Sequence, residues 1–182
     1  MKPAVFLDRD GTLIEEKHYL HRPEEVVLFP DADVSLKRLS ENGFELFLVT
    51  NQSGVGRGFY TLDDVKKVHS RLLDLLRPEG VAFREIYVAP ETPDQAVYGR
   101  KPSPRFLLDA RDQYQIDLGQ SYMIGDKEVD VQCGWNAGVR QCMLVRTGYG
   151  KEHEGRLNGQ LHRVQVVDDL AEAANWILTN HK

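Results

Sequence analysis

The 182-residue sequence contains only two cysteines and no long apolar run. Cys133 and Cys142 fit neither a metal-binding spacing nor a disulfide framework, which is typical of proteins in a reducing compartment. No stretch approaches the ~20 apolar residues that a membrane-spanning helix requires. The chain enters an apolar segment at Ala4 without the basic and apolar regions of a signal peptide. These absences predict a cytoplasmic protein without a membrane partner.

Positive charge is also scarce, because 23 Lys and Arg residues stand against 28 Asp and Glu residues, for a net charge of −5. Proteins that bind nucleic acid normally carry a basic face, so no nucleic-acid partner is expected. A local group of basic side chains can still capture a small anionic substrate. At 182 residues and 41% hydrophobic, without a linker, the chain is expected to form a single domain over residues 1–182, and a domain this small is expected to be a monomer. A domain of this size buries roughly 70% of its unfolded-chain surface.

What the sequence does contain is an alternation of short apolar runs with amphipathic segments. The apolar runs predict strands at about 4–7, 26–29, 44–49, 81–88, 121–125, 139–145 and 164–167. Helices are predicted at about 31–42, 61–76, 103–114, 128–136 and 170–178, with Thr61 and Asp64 as a capping box. This alternation predicts an α/β fold with three layers, in which helices cover both faces of a mainly parallel sheet.

The segment from Val5 to Leu13 is the region around which the chain is expected to be organised. It begins as a buried parallel strand and continues with Asp8 and Asp10, whose side chains point to the same side of an extended backbone. Gly11 then permits a sharp turn. Two anions held this close repel unless a cation lies between them, and Mg²⁺, which prefers oxygen ligands, is the natural candidate. The alternative is a strand that simply ends in a polar turn.

The residues Asp8-Arg9-Asp10-Gly11-Thr12 resemble motif I of the haloacid dehalogenase (HAD) superfamily of aspartyl-phosphate phosphatases. The resemblance implies a Rossmann-like HAD fold for the predicted three layers. It also implies that Asp8 attacks phosphorus and that Asp10 serves as general acid and base.

Further parts of such a site follow later predicted strands in the expected order. Thr50 would bind a phosphate oxygen, although a single threonine at a strand end is more often a turn residue. Lys101 would neutralise the transferring phosphoryl group, although most Arg-Lys pairs are solvated. Asp130 is expected to orient a helix or to support the metal ligands from behind. The metal ligands implied by the resemblance are Asp8, Asp10 and Asp126.

Four segments narrow the resemblance: FLDRDGT, VTNQSGVGRG, RKPSP and YMIGDKEVD. Over about residues 4–148 they resemble the heptose bisphosphate phosphatase and histidinol-phosphatase group, whose members have no large cap domain. No insertion between the predicted strands is long enough for a cap. Lys127 is either a substrate contact or a surface lysine at the start of a helix. Arg57 is either a second contact for an anion or a solvated loop residue. The positions that match substrate-contacting stretches of the group are Glu16, Lys17, His18, Tyr19, Asn51, Gln52, Ser53, Arg100 and Lys127.

One departure from the group concerns a zinc loop. Many members carry Cys and His ligands for a structural zinc just before the RKP segment, whereas residues 87–99 contain neither residue type. No structural zinc is therefore expected there. Pro90 and Pro93 are expected to stiffen the loop in its place.

The favoured function is a Mg²⁺-dependent phosphatase that removes the C7 phosphate of D-glycero-D-manno-heptose 1,7-bisphosphate in cell-envelope synthesis. Histidinol-phosphate phosphatase is the nearest alternative, and the sequence separates the two poorly. A phosphotransferase or mutase is disfavoured because no second acceptor pocket is visible. A DNA 3′-phosphatase is disfavoured by the acidic charge. A non-catalytic protein that binds a phosphate ligand on the same fold is the alternative of another class. It is disfavoured because all four motifs keep their catalytic residues, whereas a degenerate member would typically have lost Asp8 or Asp10.

Overall fold

The computed structural model of the chain describes residues 1–95, 97–157, 159–160 and 163–181. Its strands are β1 (Ala4–Leu7), β2 (Glu45–Asn51), β3 (Glu85–Ala89), β4 (Tyr122–Gly125), β5 (Gln141–Val145) and β6 (Val164–Val167). Its α-helices are α1 (Ala32–Glu41), α2 (Ser53–Gly56), α3 (Leu62–Leu76), α4 (Arg105–Tyr114), α5 (Glu128–Ala137), α6 (Gly150–Arg156) and α7 (Leu170–Asn180). None of these helices is long and apolar enough to cross a membrane.

The strands form one sheet in the order β3-β2-β1-β4-β5-β6, and each pairing is parallel. From β1 the chain builds outward through β2 and β3, and then returns to add β4 on the other side of β1. The loops that leave β1 and β4 therefore diverge and open a crevice at their carboxyl ends, which is where α/β sheets bind ligands. Asp8 and Asp126 are the first residues beyond these two strands.

Buried side chains divide between the two faces of the sheet, as the pleat of a strand requires. Val5 and Leu7 of β1 belong to a core that includes side chains from α1, α3 and α7. Ala4 and Phe6 belong to a second core that includes side chains from α4 and α5. Every side chain of β1 is buried, so this strand is fixed on both faces. The prediction of a three-layer α/β fold with a parallel sheet is confirmed.

Most predicted elements are present, with boundaries shifted by a few residues. The capping box is confirmed, because Thr61 accepts a hydrogen bond from the Asp64 backbone and the Asp64 carboxylate accepts one from the Thr61 backbone. The strand predicted at 26–29 was wrong, since Leu28 forms only an isolated antiparallel bridge with Ile14. The short helices α2 and α6 were not predicted.

The two longest connections are residues 8–31 and 90–104. Among their described residues they contain one short 3₁₀ helix, Pro23–Glu25, and neither an α-helix nor a sheet strand. The expectation that no large cap domain is present is confirmed for the described part of the chain. Among the described residues, no folded insertion therefore covers the crevice.

Candidate active site

A cavity of about 280 Å³ lies at the carboxyl ends of β1, β2 and β4. It is the point at which the first motif, the end of β2, the loop before α4 and the start of α5 meet. The residues predicted for the site that line it are Asp8, Asp10, Glu16, His18, Tyr19, Asn51, Gln52, Ser53, Lys101 and Lys127. Asp8 and Asp10 thus open onto the same space, as their spacing predicted.

Lys101 is a buried cation in the lining of the cavity. Its Nζ lies 2.7 Å from Asp8 Oδ1 and 2.6 Å from Asp130 Oδ1, and it donates to the Val49 carbonyl at 2.8 Å. Burial lowers the pKa of Lys101, but the charges of Asp130 and Asp8 outweigh burial and raise it above its ordinary value. The ammonium group is therefore permanently charged beside Asp8.

Asn51 fixes the backbone of Lys101. Its Oδ1 accepts from the Lys101 N–H at 3.0 Å, and its Nδ2 donates to the Lys101 carbonyl at 3.1 Å. Both polar groups of the amide are thus engaged by a loop 50 residues away in the chain. Asn51 was predicted to contact substrate, and the structure gives it a direct role in placing Lys101.

Asp8 and Asp126 have opposite electrostatic surroundings. Burial raises the pKa of Asp8, but Lys101 and Lys127 more than compensate, so the pKa lies below its ordinary value. Burial and the charge of Asp8 raise the pKa of Asp126 to about 8. A bound cation would offset both effects and stabilise the Asp126 carboxylate.

The acidic groups around Asp126 fit a divalent metal ion. Oxygen atoms from Asp8, Asp126 and Asp130 all lie within 4.8 Å of one another. Asp126 Oδ2 accepts from the Tyr149 N–H at 2.9 Å, whereas the buried Oδ1 has no hydrogen-bond partner among the described residues. Hard oxygen donors of this kind suit Mg²⁺.

Asp130 is less available to a metal than this proximity indicates. It forms the ion pair with Lys101, and its Oδ2 accepts from the Lys127 N–H at 2.9 Å, at the first turn of α5. These contacts agree with the expectation that Asp130 orients the helix.

The carboxylate of Asp10 is held by Arg9 and Gln52. Its Oδ2 accepts from Arg9 Nε and from Gln52 Nε2, each at 3.0 Å. Gln52 is itself fixed, because its Nε2 also lies 2.7 Å from Thr50 Oγ1 and its Oε1 accepts from Tyr60 at 2.7 Å. The Asp10 carboxylate thus has Arg9 and Gln52 as partners, and its contribution to the metal site stays a prediction.

Lys127 lies between the acidic cluster around Asp126 and the polar and aromatic residues of the cavity lining. Its Nζ lies 3.2 Å from Glu16 Oε2 and 3.7 Å from Asp126 Oδ1, and 5.0 Å from the centre of the Tyr149 ring. The Tyr149 hydroxyl lies 2.9 Å from His18 Nδ1. A second positive charge therefore faces the cavity, next to a wall of polar and aromatic groups.

A flap formed by residues 15–22 supplies part of the cavity lining, including His18 and Tyr19. His18 and Tyr19 have φ angles of 41° and 57°, which are uncommon for residues other than glycine. The Tyr19 ring contacts the Phe59 ring edge-on, with 4.9 Å between the ring centres. The His21 ring stacks on the Tyr60 ring, with 5.5 Å between the ring centres. Such local strain is typical of functional sites, where the surrounding contacts maintain it.

Comparisons with known proteins give the family. A family model described as HAD-hydrolase-like matches residues 98–173. A D-glycero-D-manno-heptose-1,7-bisphosphate 7-phosphatase from Thermosynechococcus vestitus is 36% identical over 191 residues, covering 98% of this chain and 97% of that protein. The chain therefore belongs to the HAD phosphatase family that includes this relative. A D-glycero-beta-D-manno-heptose-1,7-bisphosphate 7-phosphatase from Yersinia pestis is 35% identical, with 99% of this chain and 97% of that protein covered.

A solved structure gives the same result for the fold. D,D-heptose 1,7-bisphosphate phosphatase from B. bronchiseptica, complexed with magnesium and phosphate, matches with a TM-score of 0.90 and 29% identity. The match covers 97% of this chain and 98% of that chain. The resemblance to HAD phosphatases is confirmed, and the chain is a phosphatase of the HAD fold.

Some residues predicted for this phosphatase lie away from the cavity lining. Lys17 donates to the Glu25 carbonyl at 2.9 Å, and Arg100 donates to the Glu91 carbonyl at 3.0 Å. Arg57 is exposed just beyond α2. Thr50 is 1% exposed and lies behind Gln52. The roles of these four residues in substrate binding or catalysis stay predictions.

Tyr149 is the main lining residue of the phosphatase that sequence reasoning missed. Its N–H donates a hydrogen bond to Asp126, its ring lies beside the Lys127 ammonium group, and its hydroxyl contacts the His18 ring. It lies in the glycine-rich segment Arg146 to Gly150, to which the sequence patterns above assign no role. A tyrosine at the carboxyl end of a parallel strand, on the edge that carries the other motifs, was the available signal.

Substitution of Gly11 by alanine should disable the phosphatase. Gly11 has a φ of +83°, and a Cβ there would overlap the carboxylate of Asp126. We expect Gly11→Ala to lose about 10²-fold in phosphate release, because a misplacement of about 1 Å has effects of that size. Steady-state phosphate release measures this loss.

Gly43→Ala is the matched control for that change. Gly43 has a φ of +89°, but no atom lies within 4 Å of the position of its Cβ. Both variants share the cost of a left-handed backbone, roughly 1–2 kcal/mol in free energy of unfolding. Only Gly11→Ala should lose activity in the folded state. Equal activities of the two variants would contradict the assignment of Asp126.

Proposed function

We propose that the chain hydrolyses the C7 phosphate ester of D-glycero-D-manno-heptose 1,7-bisphosphate through a phosphorylated Asp8. The observation that carries this proposal is the contact of Asp8 with Lys101 in the lining of a cavity that also contains Asp10. The relatives named as 7-phosphatases of this sugar bisphosphate supply the substrate. A place in bacterial cell-envelope synthesis, a cytoplasmic location and a monomeric state belong to the same proposal.

In the first step, an oxygen of Asp8 attacks phosphorus while the bond from phosphorus to the sugar oxygen breaks. Lys101 has a permanent charge next to the attacking carboxylate and stabilises the negative oxygens of the transferring group. Thr50 and the backbone N–H groups after β2 are assigned to the same oxygens. Asp10 gives its proton to the departing sugar oxygen, so that the alcohol leaves uncharged.

In the second step, Asp10 takes a proton from a water molecule as that water attacks the phosphoryl group on Asp8. The products are inorganic phosphate and the free carboxylate of Asp8, and Asp10 is again protonated. Division into two steps suits phosphate monoesters, whose uncatalysed hydrolysis is among the slowest known reactions. Mg²⁺, held by Asp8 and Asp126, would supply further positive charge at the phosphoryl oxygens.

The sugar end of the substrate is assigned to the wall and flap. Glu16, His18 and Ser53 offer polar atoms to sugar hydroxyls, and Tyr19 offers a ring face. Lys127 is assigned to a phosphoryl or hydroxyl oxygen near Asp126. Arg100, outside the lining, is assigned to recognition of the more distant part of the substrate.

A panel of phosphate esters tests the substrate. Both anomers of D-glycero-D-manno-heptose 1,7-bisphosphate and histidinol phosphate are incubated with the protein and Mg²⁺, and kcat/KM is measured from phosphate release. The proposal requires that one heptose anomer be the best substrate and that only its C7 phosphate be lost. Faster turnover of histidinol phosphate would replace the proposal with its nearest alternative.

Removal of divalent metal should abolish turnover reversibly. EDTA leaves the carboxylates of Asp8 and Asp126 facing each other, so activity should fall to background and return with Mg²⁺. Mg²⁺ should also raise the melting temperature, because it binds only the folded site. Asp126→Asn should abolish the rise in melting temperature, and full activity after exhaustive EDTA treatment would contradict the metal site.

A further inference from the structure

Arg9 is a charged side chain that is fully buried, with 0% exposure. One edge of its guanidinium group faces Asp10, with Nε 3.0 Å from Oδ2 and Nη2 3.2 Å from Oδ1. Its other amino group, Nη1, points away from the cavity and lies 3.2 Å from Nε2 of His69 on α3. Buried polar groups need partners, and His69 is the partner of Nη1.

His69 is suited to this contact because it is neutral. Its side chain is buried, with 7% exposure, on a helix that otherwise contributes apolar residues to the core. Burial and then the charge of Arg9 lower the pKa of His69 to about 3. A neutral ring with its proton on Nδ1 leaves Nε2 free to accept the hydrogen bond from Nη1.

We propose that His69 is a positioning residue for Asp10, which it holds in place through Arg9. The hydrogen bond from Nη1 to His69 fixes the plane of the guanidinium group. In that plane, the other two nitrogen atoms, Nε and Nη2, donate to the two carboxylate oxygens of Asp10. Gln52 holds Oδ2 from another direction. The Asp10 carboxylate therefore keeps one orientation relative to Asp8. This inference rests on the proposed role of Asp10 in proton transfer.

The alternative is that His69 only satisfies a buried arginine and contributes to stability. The two roles differ in how they depend on the leaving group. Phenyl phosphate needs a proton on its departing oxygen, whereas p-nitrophenyl phosphate releases a much weaker base that needs little help. For the bond-breaking step that kcat/KM reports, loss of Asp10 orientation should therefore affect phenyl phosphate selectively. A purely structural defect should affect both esters equally.

Three variants of the full chain test the proposal with these two esters. His69→Leu removes the acceptor, and we expect kcat/KM for phenyl phosphate to fall about 10- to 100-fold, with less than about a threefold fall for p-nitrophenyl phosphate. His69→Gln places an amide oxygen near the position of Nε2 and should restore most of the activity. His181→Leu removes a histidine that contacts Tyr122, away from the site, and should show no dependence on the leaving group.

Equal losses with the two esters, unchanged activity in His69→Leu, or failure of His69→Gln to recover would each overturn the proposal. If His69→Leu does not fold, His69→Asn replaces it, because this amide is one methylene shorter and falls short of Nη1. Both probes are aryl phosphates, so the result does not depend on the sugar. Rejection of heptose bisphosphate by the wild-type protein would overturn the proposed substrate and leave the role of His69 intact.

Discussion

Replacement of Asp8 by asparagine is expected to reduce phosphate release at least ~10⁴-fold, the scale seen when a catalytic nucleophile is removed. The amide has nearly the same shape but is a poor nucleophile toward phosphorus. The fold should persist, because Lys101 keeps its ion pair with Asp130 and the repulsion between Asp8 and Asp126 disappears. Phosphate release and circular dichroism measure the two effects separately.

Asp112→Asn is the control for that substitution. Asp112 is exposed on α4 and pairs only with the neighbouring Arg111 among the described residues. The same chemical change there should leave activity within about twofold, since isolated surface ion pairs contribute little. Residual turnover by Asp8→Asn at a few per cent of wild type would argue against a phosphorylated Asp8 and in favour of direct attack by water.

Replacement of Lys101 by methionine is expected to impair both stability and catalysis. Asp8 and Asp130 would lose the buried cation that lies within 2.7 Å of each. Removal of one partner from a buried ion pair typically costs about 3–5 kcal/mol in free energy of unfolding. Activity should fall at least ~10²- to 10³-fold, because the charge that stabilises the phosphoryl oxygens is lost. Urea unfolding in EDTA and phosphate release provide the measurements.

Two further variants separate these effects of Lys101. Lys101→Met combined with Asp130→Asn should recover much of the stability, since fewer buried carboxylates then need a counter-charge, but should not recover activity. Lys37→Met removes a partly exposed ion pair with Glu79 and should barely change the free energy of unfolding, because exposed ion pairs contribute little. A Lys101→Met variant as stable as Lys37→Met would show that the buried charges do not depend on Lys101.

The sequence predicted the fold well because its strands are short apolar runs that hydrophobic patterning identifies directly. β1 is buried along its whole length, and the residues that follow it carry the first motif. The strand predicted at 26–29 is absent because an apolar run can also pack on the core from a loop, as Val26 and Leu28 do. α6 has a polar composition and only a short span, so no periodic pattern marks it.

The site was predictable where a residue acts directly at the end of a strand, and less so where it acts through another residue. Asp8, Lys101 and Asp126 were named from their positions in motifs. The clamp of Asn51 on the Lys101 backbone depends on where two distant loops meet. His69 lies in a helix whose pattern indicates only an apolar face, and nothing in the sequence associates it with Arg9. Such relationships are set by tertiary packing.

The ion pair between Lys101 and Asp8 joins residues 93 positions apart. Its formation requires that β1, β2 and the loop before α4 have already assembled. A partly folded chain thus possesses the nucleophile but not the cation that makes it effective. Recovery of turnover during refolding consequently reports that these distant segments have come together, whereas recovery of helical content reports only local structure.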